Sequence, residues 1–262
     1  MVSVDIISVS NPRIKAAVKL RESAKERREK GMFFLEGLRL CRDAARTNIV
    51  ADTVFYTQKF SDEHGDALSE ITQNVKNVFS VSDEVMQKLS DTVNPQGVTS
   101  ICAIPQFNDT LTEGLYIALE KTADPTNLGA IARSAEAFGV KGIYISADSC
   151  DPYSPKSLRA GMGALLRLPI IRCNNFFEDI REQTKNGATL YASVVDGNAA
   201  DVRSVTPSGK SILLIGNEAN GLSNEIAEIS NKITIKMSGR AESLNAAAAA
   251  AILIFELTRG AE

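Results

Sequence analysis

Apolar and polar positions divide the chain into two textures. Up to about residue 104 the pattern is irregular: Pro12 to Glu29 reads as a charged helix. FFLEGLRLCRDAAR reads as a second helix, with Phe34, Leu35, Leu38 and Cys41 on one face. ADTVFYT has the make-up of a short strand, a polar stretch leads to a helix at Asp83–Leu89, and the strand VTSICAIP ends at Pro105. QFNDTLTEG is polar and turn-rich and reads as a linker. From Leu115 onward short apolar runs alternate with helical ones. LYIALE, GIYIS, LPIIR, TLYASVV, SILLIG and KITIKM are the predicted strands. NLGAIARSAEAFG, SPKSLRAGMGALL, FFEDIREQTKNG, SNEIAEIS and a last segment from Ser243 to Thr258 are the helices. Such alternation predicts a parallel sheet covered on both faces. The expected organisation is α/β throughout: a smaller domain over 1–104, a linker over 105–113 and a parallel-sheet domain over 114–262.

Composition narrows the class. With 262 residues, 44% hydrophobic and 23% charged, the chain can bury packed cores, and wholesale disorder is not expected. No apolar run is long enough for a membrane span; Ala246 to Leu253 reads as a buried helix. MVSVDIISVSNPRIK lacks a charged-then-apolar leader, so a cytoplasmic location is expected. Cys41, Cys102, Cys150 and Cys173 form no CxxC pair and read as reduced structural thiols. The single histidine, His64, argues against a histidine-built metal centre, and no metal is expected.

A net charge of −3 does not announce a nucleic-acid binder, but its distribution is uneven. Arg13, Lys15, Lys19, Arg21, Lys25, Arg27, Arg28 and Lys30 are opposed only by Glu22, Glu26 and Glu29. That segment reads either as a solvated face laced with i,i+3 and i,i+4 ion pairs or as a contact for phosphates.

Ligands of open parallel sheets bind beyond the carboxyl ends of the strands, and three such exits are unusually decorated. The first turns at Asp124-Pro125 into a helix carrying Asn127 and Arg133, which helical spacing sets close to the same side. The second is ILLIGNEANGLS and the third IKMSGRAESLNAAAA, in which Ser243 is suited to cap the last helix or to meet a substrate. Gly216 to Gly221 has P-loop spacing, but Leu222 stands where lysine should, and Glu218 would repel phosphate. No GxGxxG follows a strand, which disfavours a dinucleotide. A neutral or cationic ligand suits these loops better, and S-adenosylmethionine, a sulfonium without phosphates, meets that description.

DPTNLGAIARSAEAFG, LLIGNEANGLS and IKMSGRAESLNAAAAAAI resemble, in order and spacing, the three motifs of the SpoU (TrmH) family of RNA 2′-O-ribose methyltransferases. SNPRIK, FFLEG and LSDTVNPQGV resemble pieces of that family's L30e-like substrate-binding domain, and YSPKSLRAGMGALLRLPI resembles a further family segment. The resemblance implies a trefoil-knotted C-terminal methyltransferase domain and a homodimer with its site assembled across two subunits. It implies methyl transfer from S-adenosylmethionine to a ribose 2′-hydroxyl in structured RNA, with 23S ribosomal RNA the expected substrate. Transfer RNA, or a non-catalytic RNA-binding relative, is the alternative. By motif position, Gly216, Ile235, Leu244 and Asn245 fall to the donor, the first three through backbone. Arg133 falls beside the target ribose, with Asn127 to orient it, Glu218 to fix the arginine or the loop, and Ser243 and Asn245 completing the catalytic set. Without the family, Ile235 and Leu244 read as core residues and Arg133 as a partner of Glu136. Arginine gives up its proton only far above neutral pH, so clamping a phosphate and polarising the hydroxyl suit Arg133 better than acting as a resting base. RNA contact is expected from Arg13, Lys15, Lys19, Arg27, Arg28, Arg39, Lys156 and Arg159. Lys236 stands where the family often has proline, and Gly161 where serine is common. Methylation at pyrimidine C5 needs a cysteine nucleophile, and none lies in the three loops, which favours the sugar.

Overall fold

The computed structural model describes residues 6–47, 49–107 and 111–259. The chain forms two compact units, one of 1–106 with 153–166 and the other of 107–152 with 167–262. Part of the expected linker, 108–110, lies outside the described residues.

In the first unit, α1 (Pro12–Glu22) and α2 (Ala24–Lys30) divide the charged segment read as one helix. Ser23 makes the break: it is extended, and its hydroxyl accepts from the Glu26 amide to cap α2. Then follow β1 (Met32–Glu36), α3 (Leu38–Ala45), β2 (Ala51–Tyr56), α4 (Gln58–Glu63), α5 (Gly65–Thr72), β3 (Asn77–Ser80), α6 (Asp83–Leu89) and β4 (Val98–Ala103). The expected second helix is therefore a strand followed by a helix. Phe33, Phe34 and Leu35 are all fully buried, as residues of a strand covered on both faces must be. Gly37 separates the two elements at φ +92, where a Cβ would lie 2.7 Å from the Gln96 side-chain oxygen. Strand order is β1-β4-β2-β3, with β4 antiparallel to both neighbours and β2 parallel to β3. One face packs Phe34, Phe55, Phe79 and Ile101 against Ile14, Ala17 and Leu20 of α1 and Val85, Met86 and Leu89 of α6.

Tyr153 to Leu166 was expected to belong wholly to the parallel-sheet domain; it packs in the first unit instead. Its expected single helix is interrupted: α8 (Pro155–Gly161) and α9 (Ala164–Arg167) are separated by Met162 and Gly163, both at positive φ. Tyr153 sets its ring 5.0 Å from that of Phe33 on β1.

In the second unit the strands are β5 (Gly114–Leu119), β6 (Ile143–Ile145), β7 (Ile170–Arg172), β8 (Thr189–Ser193), β9 (Ala200–Asp201), β10 (Lys210–Ile215) and β11 (Asn231–Thr234). All are parallel, in the order β7-β6-β5-β10-β8-β11-β9. Tyr116, Tyr144, Leu190, Ile212 and Leu214 face α10 (Phe176–Lys185) and α11 (Asn224–Glu228) through Ile180 and Ile226. α7 (Pro125–Ala137) and α12 (Ala246–Thr258) pack on each other and bury Leu128, Ile131, Ala135, Leu253, Ile254 and Leu257. The central strands are thus near-continuous apolar runs. β5 has β6 on one side and β10 on the other, and Leu119 pairs in register with Ile215. The exits of β5 and β10 therefore lie side by side at a reversal of strand order, where such sheets bind ligands. Among the described residues no helix is long and apolar enough to cross a membrane, and no cluster of three metal-ligating side chains occurs.

Glu70 of α5 receives Arg42 at 2.6 Å and Arg46 of the α3 end. Hydrogen bonds from Arg46 and Arg42 hold its carboxyl below the ordinary glutamate value. A depressed carboxylate stabilises the fold above its unfolded value and loses that contribution as pH falls through the folded one. Glu70→Gln is therefore expected to lower the Tm of this unit at pH 7, with the difference from the parent vanishing as both are taken into acid below the glutamate range. Thermal melts at stepped pH check this; a difference that persists in acid contradicts it.

Candidate donor and catalytic site

The loop leaving β5 is built to carry unusual backbone. Lys121 adopts φ 53, rare for a side chain other than glycine. Its amide donates to Ser146 Oγ at 2.8 Å, the Thr122 amide donates to Ser149 Oγ at 3.1 Å, and the two hydroxyls bond each other. Asp124 then caps α7 by accepting from the Thr126 amide, with Pro125 in the first turn, where its missing N–H costs nothing.

The loop leaving β10 closes on itself. Asn217 and Gly221 exchange both backbone hydrogen bonds, at 3.0 and 2.9 Å, and Asn217 Oδ1 accepts from the Ala219 and Asn220 amides. A Cβ on Gly216 would lie 2.1 Å from the Gly221 carbonyl carbon, so no other residue fits there without opening the loop. Two residues that the sequence did not single out bind this loop to its neighbour. Asn217 Nδ2 donates to the Lys121 carbonyl at 2.8 Å, and buried Glu120 accepts from the Ser223 amide at 2.8 Å. No sequence signal marked Glu120, which ends a strand like any polar residue.

Three of the expected residues meet in one relay across the three exits. Asn245 Nδ2 donates to Asn127 Oδ1 at 3.1 Å, and Asn127 Nδ2 donates to Glu218 Oε1 at 3.0 Å. The other Glu218 oxygen faces the Ala123 amide at 3.5 Å. Asn245 also caps α12, its Oδ1 accepting from the Ala247 and Ala248 amides. The capping role considered for Ser243 therefore belongs to Asn245, and the helix starts at Ala246 rather than Ser243. Ser243 is exposed two residues ahead of the cap.

Arg133 is not part of this relay. Asn127 is buried and Arg133 exposed on the same helix, since six residues turn them about 120° apart rather than onto one side. The expected contacts from Asn127 and Glu218 to Arg133 are absent among the described residues. So is its pairing with Glu136, which binds Arg167 instead. Its guanidinium is left without a protein partner among those residues.

A cleft of about 390 Å³ opens beside the β8 and β11 exits, with Val195, Asp196, Thr234, Ile235, Lys236 and Met237 on its wall. Ile235 thus lines a cavity instead of the core. Val195 and Met237 on the cleft, and Leu244 on the third loop, leave large apolar side chains 73%, 36% and 38% exposed. Walls of this kind suit a flat apolar group such as adenine, and Asp196 offers acceptors for hydroxyls or an ammonium. These residues fit an adenosyl sulfonium, whose carboxylate Lys236 can meet. Cys150 approaches the site from its own loop, its amide donating to the Thr122 carbonyl. Burial, reinforced by the carboxylates of Asp151, Asp124 and Glu218, pushes its thiol up to about 11, so it stays protonated and a poor nucleophile near neutral pH.

Of the residues expected to touch RNA, Arg13, Lys15, Lys19, Arg28 and Arg39 are exposed in the first unit. Lys19 is engaged by Glu26 at 2.6 Å. Arg27 is 3% exposed and donates to the Leu20 and Arg21 carbonyls, which makes it a cap for the end of α1 rather than a phosphate ligand. Arg159 is half-engaged by Asp91 at 2.7 Å, and Lys156 lies on α8.

The family model of the SpoU rRNA methylases matches residues 114–255, and that of the MRM3-like substrate binding domain matches 11–100. An uncharacterised tRNA/rRNA methyltransferase of Synechocystis is 30% identical over 97% of this chain and 93% of its own length. The 23S rRNA (guanosine(2553)-2′-O)-methyltransferase RlmP of Bacillus subtilis is 25% identical over 96% and 98%. The crystal structure of an AdoMet-bound rRNA methyltransferase from Sinorhizobium meliloti superposes with a TM-score of 0.87 at 31% identity, covering 97% of each chain. With its parallel sheet, its three joined exits and these likenesses, the chain belongs to the SpoU family of RNA methyltransferases.

Proposed function

We propose that this protein transfers the methyl group of S-adenosylmethionine to a ribose 2′-hydroxyl of 23S ribosomal RNA. The observation that carries the reading is the Asn245–Asn127–Glu218 relay, which joins the three loop exits, the third of which also lines the cleft with Ile235 and Met237. The donor supplies a methyl on a positively charged sulfur, a good leaving group for in-line displacement. Gly216, Ile235 and Leu244 hold it through backbone, and Asn245 fixes the loop that carries Leu244. Relatives named as rRNA 2′-O-methyltransferases and as AdoMet-bound structures support both donor and acceptor. Cys150, held protonated, is unsuited to the covalent step of pyrimidine C5 methylation.

Arg133 completes the chemistry from an exposed helix face. Its guanidinium clamps a phosphate next to the target ribose and donates to the 2′-oxygen, stabilising the charge that develops as the proton leaves. Ser243, exposed on the third loop, contacts the substrate. Phe138, at the C-cap of α7, sets its ring 5.5 Å from that of Phe255 on α12, and all of Phe138, Phe255 and Ile252 are exposed. Exposed apolar side chains on α7 and α12, in the unit where Arg133 has no protein partner among the described residues, support a homodimer in which Arg133 serves the other subunit's site, and the trefoil knot belongs to the same reading.

Incubating the protein with labelled donor and unmodified ribosomal RNA, then mapping the label, tests the assignment. Label on 2′-oxygens of 23S RNA is expected; label on bases overturns it, and transfer RNA as the better acceptor moves it to the other substrate. Arg133→Ala should lower transfer on the order of 100-fold while calorimetric donor affinity stays unchanged. Unaltered turnover would remove Arg133 from the chemistry. Gly216→Ala should weaken donor binding by about tenfold or more, because its Cβ forces the second loop open; parent-like affinity would contradict the cradle.

A further inference from the structure

The first unit holds a second cleft, of about 400 Å³, beside the N-terminal turn of α1. Arg13, Lys30, Met32, Asp52, Asn77 and Phe79 contribute to its wall. The Arg13 guanidinium lies over the Phe79 ring, 5.2 Å from its centre. It makes no ion pair among the described residues, although Asp52 lines the same cleft. Lys30, by contrast, is held by Glu26 at 2.6 Å. Arg13 is thus held beside an aromatic ring, while the residue as a whole is exposed. A guanidinium placed beside an aromatic ring can give a nucleobase a stacking surface as well as a charge for its phosphate.

Among the described residues, Asp52 is the one carboxylate on the wall of the cleft. Thr53 spends its hydroxyl proton on Asp52 Oδ2 at 2.7 Å, leaving the other carboxylate oxygen open. Asn77 donates one of its two amide N–H groups to the Asp52 carbonyl at 3.2 Å, leaving the other N–H and Oδ1 open. A base that meets the open Asp52 oxygen must therefore present donors there. Guanine offers an imino N–H next to an amino group, whereas uracil offers a single N–H between two carbonyls that would face carboxylate. We infer that this cleft is an RNA-reading slot in which an unpaired, donor-edged base, guanine foremost, stacks on Arg13 and meets Asp52 and Asn77. This rests on the reading of the protein as an RNA methyltransferase and deepens it by naming the feature of the RNA that is recognised away from the reacting ribose.

The test uses the full chain and two fluorescein-labelled heptaribonucleotides, UUUGUUU and UUUUUUU, titrated at fixed low salt. The parent is expected to bind the guanosine-bearing strand several-fold more tightly. Arg13→Ala and Arg13→Lys should each weaken that binding by about tenfold, because lysine keeps the charge but not the plane. Asp52→Asn should bring the two strands to similar affinity. Parent-like binding by Arg13→Lys would reduce the feature to a phosphate contact and overturn the slot, as would equal affinity of the parent for both strands. A parent that methylates ribosomal RNA but binds neither heptamer overturns the slot alone. One that reads guanosine through Arg13 but transfers no methyl group sustains the slot and defeats the enzymatic reading.

Discussion

Two amides and one carboxylate in series hold this site together. An asparagine side chain both donates and accepts, so it can link two partners in line, which neither aspartate nor a hydrophobic residue can do. Asn245 caps a helix with its oxygen and passes its N–H to Asn127; Asn127 passes its own to Glu218. Three loops spread over 118 residues of chain, from Asn127 to Asn245, thereby share one hydrogen-bonded chain. Asn127 is buried, so removing either partner would strand a desolvated polar atom, and the relay holds as a unit.

The sheet makes that chain possible. Parallel strands send all their exits to one edge, and the adjacency of β5 and β10 brings Glu120 beside Gly216. Side chains and backbone then lock the two loops from both directions, Asn217 reaching Lys121 and Glu120 reaching Ser223. Rigid loops on a rigid sheet leave apolar groups such as Val195, Met237 and Leu244 exposed without letting them collapse into the core. Preorganised walls of this kind bind a ligand without a further ordering cost.

Much of this was legible in the sequence, part from periodicity and part from resemblance. The alternation beyond Leu115 predicts the parallel sheet, and the family motifs name Asn127, Glu218 and Asn245, which the fold then joins. Periodicity failed where an apolar run was too short to declare its type: FFLEG is a doubly buried strand, and only the positive φ of Gly37 separates it from the helix that follows. It failed again within SPKSLRAGMGALL, whose break at Met162 no helix propensity forbids. The helical wheel also placed Asn127 and Arg133 too close. Charge counting could not distinguish Arg27, spent on backbone carbonyls, from Arg13, placed 5.2 Å from the centre of an aromatic ring. Those differences arise from tertiary neighbours distant in sequence, as does the role of Glu120.

The central claim is that the relay acts as one element, and a double-mutant cycle measures that directly. Asn127→Ala, Asn245→Ala and the double variant would be compared by calorimetric binding of S-adenosylmethionine. If the two amides work in series, the double variant loses clearly less than the sum of the single losses, with a coupling on the order of 1 kcal/mol. Strictly additive losses would mean that the loops are held independently, and the account of a single joined site would not stand.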